Sequence, residues 1–249
     1  MPQCHRASWK SAFTLAETLI VIGIIGVVAA LTLPNLNHAT GDKETVTRLQ
    51  KAYSMLNEAN DRAVAIYGPL STWQSSSQEC QQNWNDCWMK RVGEFLKISK
   101  SCDESQDISC DALKGNLDSY EYGYGHIVYQ LSDGMTFLLG EECDTDFSCD
   151  WGPVKNYSFS LEVDIDGPQK GKNQPGSDIF GFLLTDLNGI VSYNGDDFAN
   201  RCVQTHTEYY CANWVLNFGN LDYLKADNTG KCNDTPSIIL DGVSNTSCH

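Results

Sequence analysis

Hydrophobic and polar positions divide this chain into three zones. In the first, residues from Thr18 to Leu33 are almost all apolar or small, Pro34 closes the run, and no Asp, Glu, Lys or Arg occurs between Glu17 and Asp42. The roughly 22 residues from Phe13 to Pro34 would span about 33 Å as a helix. That length matches a hydrocarbon core of about 30 Å, so a transmembrane helix is expected over 13–36. In the second zone Val46, Leu49, Tyr53, Leu56, Ala63 and Ile66 recur mostly every three or four residues, with Lys43, Glu44, Arg48, Lys51, Glu58, Asp61 and Arg62 between them. This spacing predicts an amphipathic helix over 42–67, ended by Gly68-Pro69. Residues 71–125 read as loop-rich, with a short helix over 84–98. In the third zone the period drops to two. His126–Leu131 and Met135–Leu139 flank Ser132-Asp133-Gly134 as a hairpin, Tyr157–Val163 alternates as a strand, and Ile179–Leu184 and Ile190–Tyr193 flank a second turn at Asp186–Gly189. A last helix is expected over Glu208–Phe218.

Glu17 is the exception in the first zone. A lone carboxylate within an apolar span costs at least about 2.5–3.5 kcal/mol at the helix centre and calls for a partner. Around it stand Lys10-Ser11-Ala12-Phe13-Thr14-Leu15-Ala16-Glu17, with Arg6 and Lys10 upstream. These residues closely resemble the N-terminus of type IV pilins and type II secretion pseudopilins, which carry a short basic leader followed by Phe-Thr-Leu-x-Glu and a hydrophobic helix. The resemblance covers about the first 40 residues. It implies a leader over 1–12, cleavage between Ala12 and Phe13 by a prepilin peptidase, and methylation of the new Phe13 amine. Ala12 is a tolerated variant of the family's usual glycine. Glu17 would then be the fifth mature residue and pair with the Phe13 amine of a neighbouring subunit. Gly26 and Pro34 stand where the family has its helix glycine and kink proline.

Other readings of the segment are a secretory signal, a plain anchor or a buried core helix. A secretory signal has a shorter apolar centre of 7–15 residues, and a plain anchor has no need of Glu17. The fold class expected is α+β and pilin-like. A long N-terminal helix, half transmembrane and half amphipathic, would pack on an antiparallel β-sheet with disulfide-rich loops. The extracytoplasmic domain would occupy 37–249, with the sheet at about 126–193 and a disulfide-rich region over 200–249.

Charge and cysteine content bear on compartment. The formal charge is −15. Losing Arg6 and Lys10 with the leader leaves 15 basic against 32 acidic side chains, or −17. Such a balance disfavours a phosphate backbone as ligand, so no nucleic-acid partner is expected. Of 11 cysteines, Cys4 falls in the leader. The remaining even set is Cys80, Cys87, Cys102, Cys110, Cys143, Cys149, Cys202, Cys211, Cys232 and Cys248. It reads as a disulfide framework in an oxidising compartment. Their order suggests neighbouring pairs, although spacing alone does not fix connectivity. The expected location is a single-pass inner-membrane protein with its domain outside, later a filament in the periplasm or at the cell surface.

Candidate ligand chemistry is sparse. Asp164-Ile165-Asp166-Gly167 followed by Asn173 and Asp178 offers oxygen ligands for calcium at Asp164, Asp166 and Asp178. Asx-turn chemistry accounts for the same residues equally well. No other cofactor is called for, and the absence of a CxxC pair leaves no zinc pattern. Tyr120, Tyr122 and Tyr124 alternate as either a glycan-binding patch or a strand edge. His206 and Cys211 resemble a nucleophile pair, but a bridged Cys211 fits an oxidising compartment better, and no enzyme is expected. The expected function is a prepilin-like structural subunit of a type IV pilus or type II secretion pseudopilus. Its partners would be the prepilin peptidase, other pilin or pseudopilin subunits and the inner membrane. The alternative is a membrane-anchored adhesin or glycan binder that does not assemble.

Overall fold

The computed structural model describes residues 14–103, 110–117, 127–142, 149–151, 154–186, 189–193, 195 and 197–249. The chain divides into two compact units, Met1–Asp42 and Lys43–His249. Helix α1 has its backbone ladder over Leu15–Tyr67. In the second unit follow α2 (Ser71–Ser76), α3 (Gln78–Gln82), α4 (Trp84–Val92), β1 (Ile98–Asp103), α5 (Asp111–Lys114), β2 (Ile127–Leu131), β3 (Thr136–Glu142), β4 (Cys149–Trp151), β5 (Val154–Asp164), β6 (Ile179–Thr185), β7 (Gly189–Val191), α6 (Phe198–Thr205) and α7 (Glu208–Phe218).

The second unit is α+β. Its sheet runs β1-β2-β3-β5-β6-β7, with β4 paired to β5, and every pairing is antiparallel. From Lys43 onward, α1 lays Val46, Leu49, Ala52, Leu56, Ala59 and Ala63 into the core with Phe137, Phe159, Leu161, Phe180 and Phe182. The helical spacing puts the first set on one face, and the strand alternation puts the second on one side of the sheet. Polar ties fix the helix in place. Lys51 Nζ lies 2.6 Å from Asp133 in the β2–β3 turn. Asn57 both donates to Ile190 O at 3.0 Å and accepts from Ile190 N at 3.1 Å, satisfying the backbone of edge strand β7.

Strand β6 is buried along its whole length. On one face Phe182 meets the ring of Tyr53 in α1, with centroids 5.5 Å apart. On the other, Gly181 admits the ring of Tyr209 from α7 so closely that a Cβ there would collide with it. An unbroken apolar strand is what covering on both faces requires. At the opposite edge, β1 is mostly exposed and polar. The expected helix over 84–98 ends at Val92, followed by a 3₁₀ turn over Gly93–Phe95. Ile66, expected in the stripe, is exposed.

The expected fold class and location are corrected. Among the described residues, no helix is long and apolar enough to cross a membrane. Polar Asn35, Asn37 and His38 stand between the apolar run and Asp42. The pilin-like class with a transmembrane half therefore does not stand, nor does the single-pass inner-membrane location. Only the portion of α1 from Lys43 on belongs to the unit that contains the sheet.

Candidate functional site

Ala12 and Phe13 lie outside the described residues. Thr14 comes next and forms a reciprocal cap with Glu17. Thr14 N donates to Glu17 Oε2 at 2.8 Å, the Thr14 hydroxyl donates to the same oxygen at 2.9 Å, and Glu17 N donates back to the Thr14 hydroxyl at 3.2 Å. This is a capping box, in which a Thr and a Glu three residues on satisfy amides that the first helical turn leaves open. The backbone bond from Thr14, then its hydroxyl, holds the fully exposed Glu17 carboxyl below its usual value. Beyond it Leu15, Leu19, Ile20, Val21, Ile22, Ile24, Ile25, Val27 and Val28 are each at least 53% exposed. At about 100° per residue these positions go round the whole circumference. Among the described residues, nothing beyond its chain neighbours and the helix's own backbone lies within 4 Å of where a Cβ on Gly26 would stand, and the backbone is helical through Pro34.

The second candidate is the connection from β5 to β6. Asp164 ends β5 and is fully buried. Its Oδ1 accepts from Gly167 N at 2.8 Å and Asp166 N at 3.3 Å, turning the chain at Gly167 (φ 86°). Asp178 closes the loop at its far end. Its two oxygens accept from the amides of Lys172, Asn173 at 2.8 Å and Gln174 at 2.6 Å. Gly171 is required between them, because a Cβ there would run into Asp178 Oδ2 and stand 2.8 and 3.0 Å from the two Asp166 oxygens. Three buried acceptors in this loop have no hydrogen-bond partner: Asp164 Oδ2, Asp166 Oδ1 and Asn173 Oδ1.

Burial pushes the Asp164 carboxyl up to about 7, against the pull of the Gly167 and Asp166 amides and aided by the Asp166 charge. Burial likewise raises Asp166, with the Asp178 charge adding to it. The Asp164 side chain and the Arg48 charge pull the other way. Arg48 Nη1 reaches Ile165 O at 3.5 Å, while its Nη2 lies 2.8 Å from Glu44. The loop thus brings together Asp164 and Asp166 and gives Asp178 a different job. Among the described residues no three His, Cys, Asp or Glu side chains form a metal-holding group. Asn173 supplies a further open oxygen. Its left-handed backbone (φ 50°) is a common conformation for asparagine in such loops.

Disulfides join Cys80–Cys87, Cys102–Cys110, Cys202–Cys211 and Cys232–Cys248. Each joins neighbours in the sequence. Cys143 lies outside the described residues, as do Tyr120, Tyr122 and Tyr124. Cys211 is therefore no thiol nucleophile, and His206 packs its ring 5.9 Å from that of Tyr223.

Fold and sites together define a disulfide-stapled α+β domain that follows an apolar, capped helix in the chain. The chain belongs to DUF6613, a family of unknown function that matches it over residues 35–238. No curated protein and no solved structure matches it.

Proposed function

We propose that the chain is a prepilin-like structural subunit of a type IV pilus or a type II secretion pseudopilus. In this reading a prepilin peptidase cuts between Ala12 and Phe13 and methylates the new amine, and processed copies assemble through their N-terminal helices. The observation that carries the reading is the exposure of large apolar side chains on every side of the helix from Leu15 to Val28. A helix that is apolar all round calls for burial on all sides, and exposed apolar surface of this extent marks an interface. Like helices from neighbouring copies would cover it. Glu17 would then meet the Phe13 amine of a neighbour, which would cancel both charges where solvation is poor.

Mass spectrometry of the mature N-terminus tests this directly. A chain beginning at N-methyl-Phe13 is the expected result. Retention of Met1, or cleavage beyond Ala29, overturns it.

A further inference from the structure

We propose that Arg91, clamped between Tyr67 and Trp73, is a carboxylate-binding site that takes an acidic side chain of a second copy of this chain. Four arginines lie among the described residues. Three of them hold a carboxylate four positions earlier: Arg48 with Glu44 at 2.8 Å, Arg62 with Glu58 at 2.5 Å and Arg201 with Asp197 at 2.5 Å. At Arg91 that position is Cys87, which is bridged to Cys80. Its guanidinium lies instead over two rings, 5.1 Å from the Tyr67 centroid and 4.6 Å from that of Trp73. It makes no hydrogen bond or ion pair among the described residues. Glu94, three residues on, accepts from the Tyr67 hydroxyl at 3.4 Å.

The clamp is built from the ends of α1 and α4 and the start of α2. Trp73 is fully buried, and its Nε1 donates to Gly68 O at 2.7 Å. The rings of Tyr67 and Trp84 meet Trp73 edge-on, at 6.1 and 5.9 Å. A guanidinium on aromatic faces is held through its π surface, which leaves the in-plane N–H fork for an acceptor. That fork matches a carboxylate with two parallel hydrogen bonds. A side chain already held in place loses less freedom on binding.

The surroundings favour a protein carboxylate over a free acid. Ala65, Ile66, Tyr67 and Pro69 are exposed beside the clamp in the chain, Ile66 at 64%. Tyrosine and arginine with aliphatic neighbours are what the energetic centre of a protein interface uses. A second copy supplies the complement. The chain has 32 acidic against 17 basic side chains, and exposed Asp61 and Asp234 make no hydrogen bond or ion pair among the described residues. Every residue of the clamp belongs to the second unit, so the contact goes beyond the N-terminal helix and does not depend on its processing.

The test mixes ¹⁵N-labelled and unlabelled full chains carrying Arg91→Lys in mild detergent and adds a carbodiimide, which joins an amine to a touching carboxylate. Peptides that couple position 91 to an acid of the other label are expected at several times the yield at exposed Lys97. In the otherwise unaltered chain, Arg91→Glu should weaken self-association at least about tenfold in sedimentation velocity, since it sets like charges face to face. Should Arg91→Glu fail to fold in thermal melts, the coupling experiment decides alone. Coupling at position 91 within one label only, or no stronger than at Lys97, overturns the proposal, as does wild-type association by folded Arg91→Glu. Polygalacturonate binding that Arg91→Glu abolishes, with association unchanged, would assign the clamp to an acidic glycan and also overturn it. Retention of Met1 would sink the filament reading and leave these measurements standing, so the two fail separately.

Discussion

Glu17 has one role in the structure and a second in the proposed filament, and a single substitution confounds them. Locally its carboxylate closes the capping box with Thr14. In an assembly it would also neutralise a neighbour's amine. Glutamine at the third helical position serves a capping box as well as glutamate does, so Glu17→Gln keeps the first role and removes the charge. We expect Glu17→Ala to be cleaved normally and excluded from filaments, and Glu17→Gln to fail in the same way, as read by N-terminal mass spectrometry and by the yield of sheared filaments. Normal assembly of Glu17→Gln would assign the residue to capping alone. At the same scale, Asn57 contributes both a donor and an acceptor to Ile190. One side chain there closes a sheet edge that would otherwise stay open to pairing.

At the scale of elements, β6 lies between two helices. Its contact with α1 follows from sequence spacing, whereas its contact with α7 depends on one missing methyl group at Gly181. Gly181→Ala would drive a Cβ into the Tyr209 ring. It should cost about 1–3 kcal/mol in denaturant unfolding, the usual cost of overpacking. Adding Tyr209→Leu should recover much of that loss, since residues in contact couple. A single Gly181→Ala variant that unfolds at the wild-type denaturant concentration would contradict this packing.

The whole molecule carries a formal charge of −15, and several of its carboxylates are held by partners. In Asp222, burial pushes the carboxyl up, but Lys225, Ser247 and the Cys248 amide outweigh it and leave the group below its usual value. Those bonds, at 2.7–2.9 Å, tie the end of the chain to the domain beside the Cys232–Cys248 disulfide. A carboxyl with a depressed folded pKa contributes stability that is fully present above its unfolded value and is lost as pH falls through the folded one. Lys51 and the Met135 amide depress Asp133 in the same way, against burial. Melting temperature should therefore rise as pH falls from about 7 toward 5, where the buried Asp164 carboxyl takes up its proton in the folded state, and fall as pH drops below about 4, where the depressed aspartates take up theirs. Asp222→Asn should flatten part of that fall in pH-dependent thermal melts. Parallel curves for variant and wild type would remove Asp222 from the account.

Much of this molecule is local and so can be read along the chain. The period of three to four at Val46, Leu49 and Leu56 set the packed face of α1, and the period of two set strands β2, β3, β5 and β6. The helix over Glu208–Phe218 was likewise legible from its apolar spacing. Strand β1, with Ser99, Lys100 and Ser101 facing solvent, carries no alternation because an edge strand need not bury either face. Helix α6 was missed because Asn200, Arg201, Gln204 and Thr205 give it a polar look, and it is held instead by the Cys202–Cys211 bond to α7. In the N-terminal segment, the apolar run by itself suggests a bilayer span, but among the described residues no helix is long and apolar enough to cross one. Thr14 and Glu17 stand at capping-box spacing in the sequence. The three aspartates of the β5–β6 loop were visible as a group from their spacing. Only the fold decided that Asp178 is spent on backbone amides while Asp164 and Asp166 keep open oxygens. Periodicity records what each residue needs from its immediate neighbours. Which buried oxygen is left without a donor depends on chain segments brought together by folding.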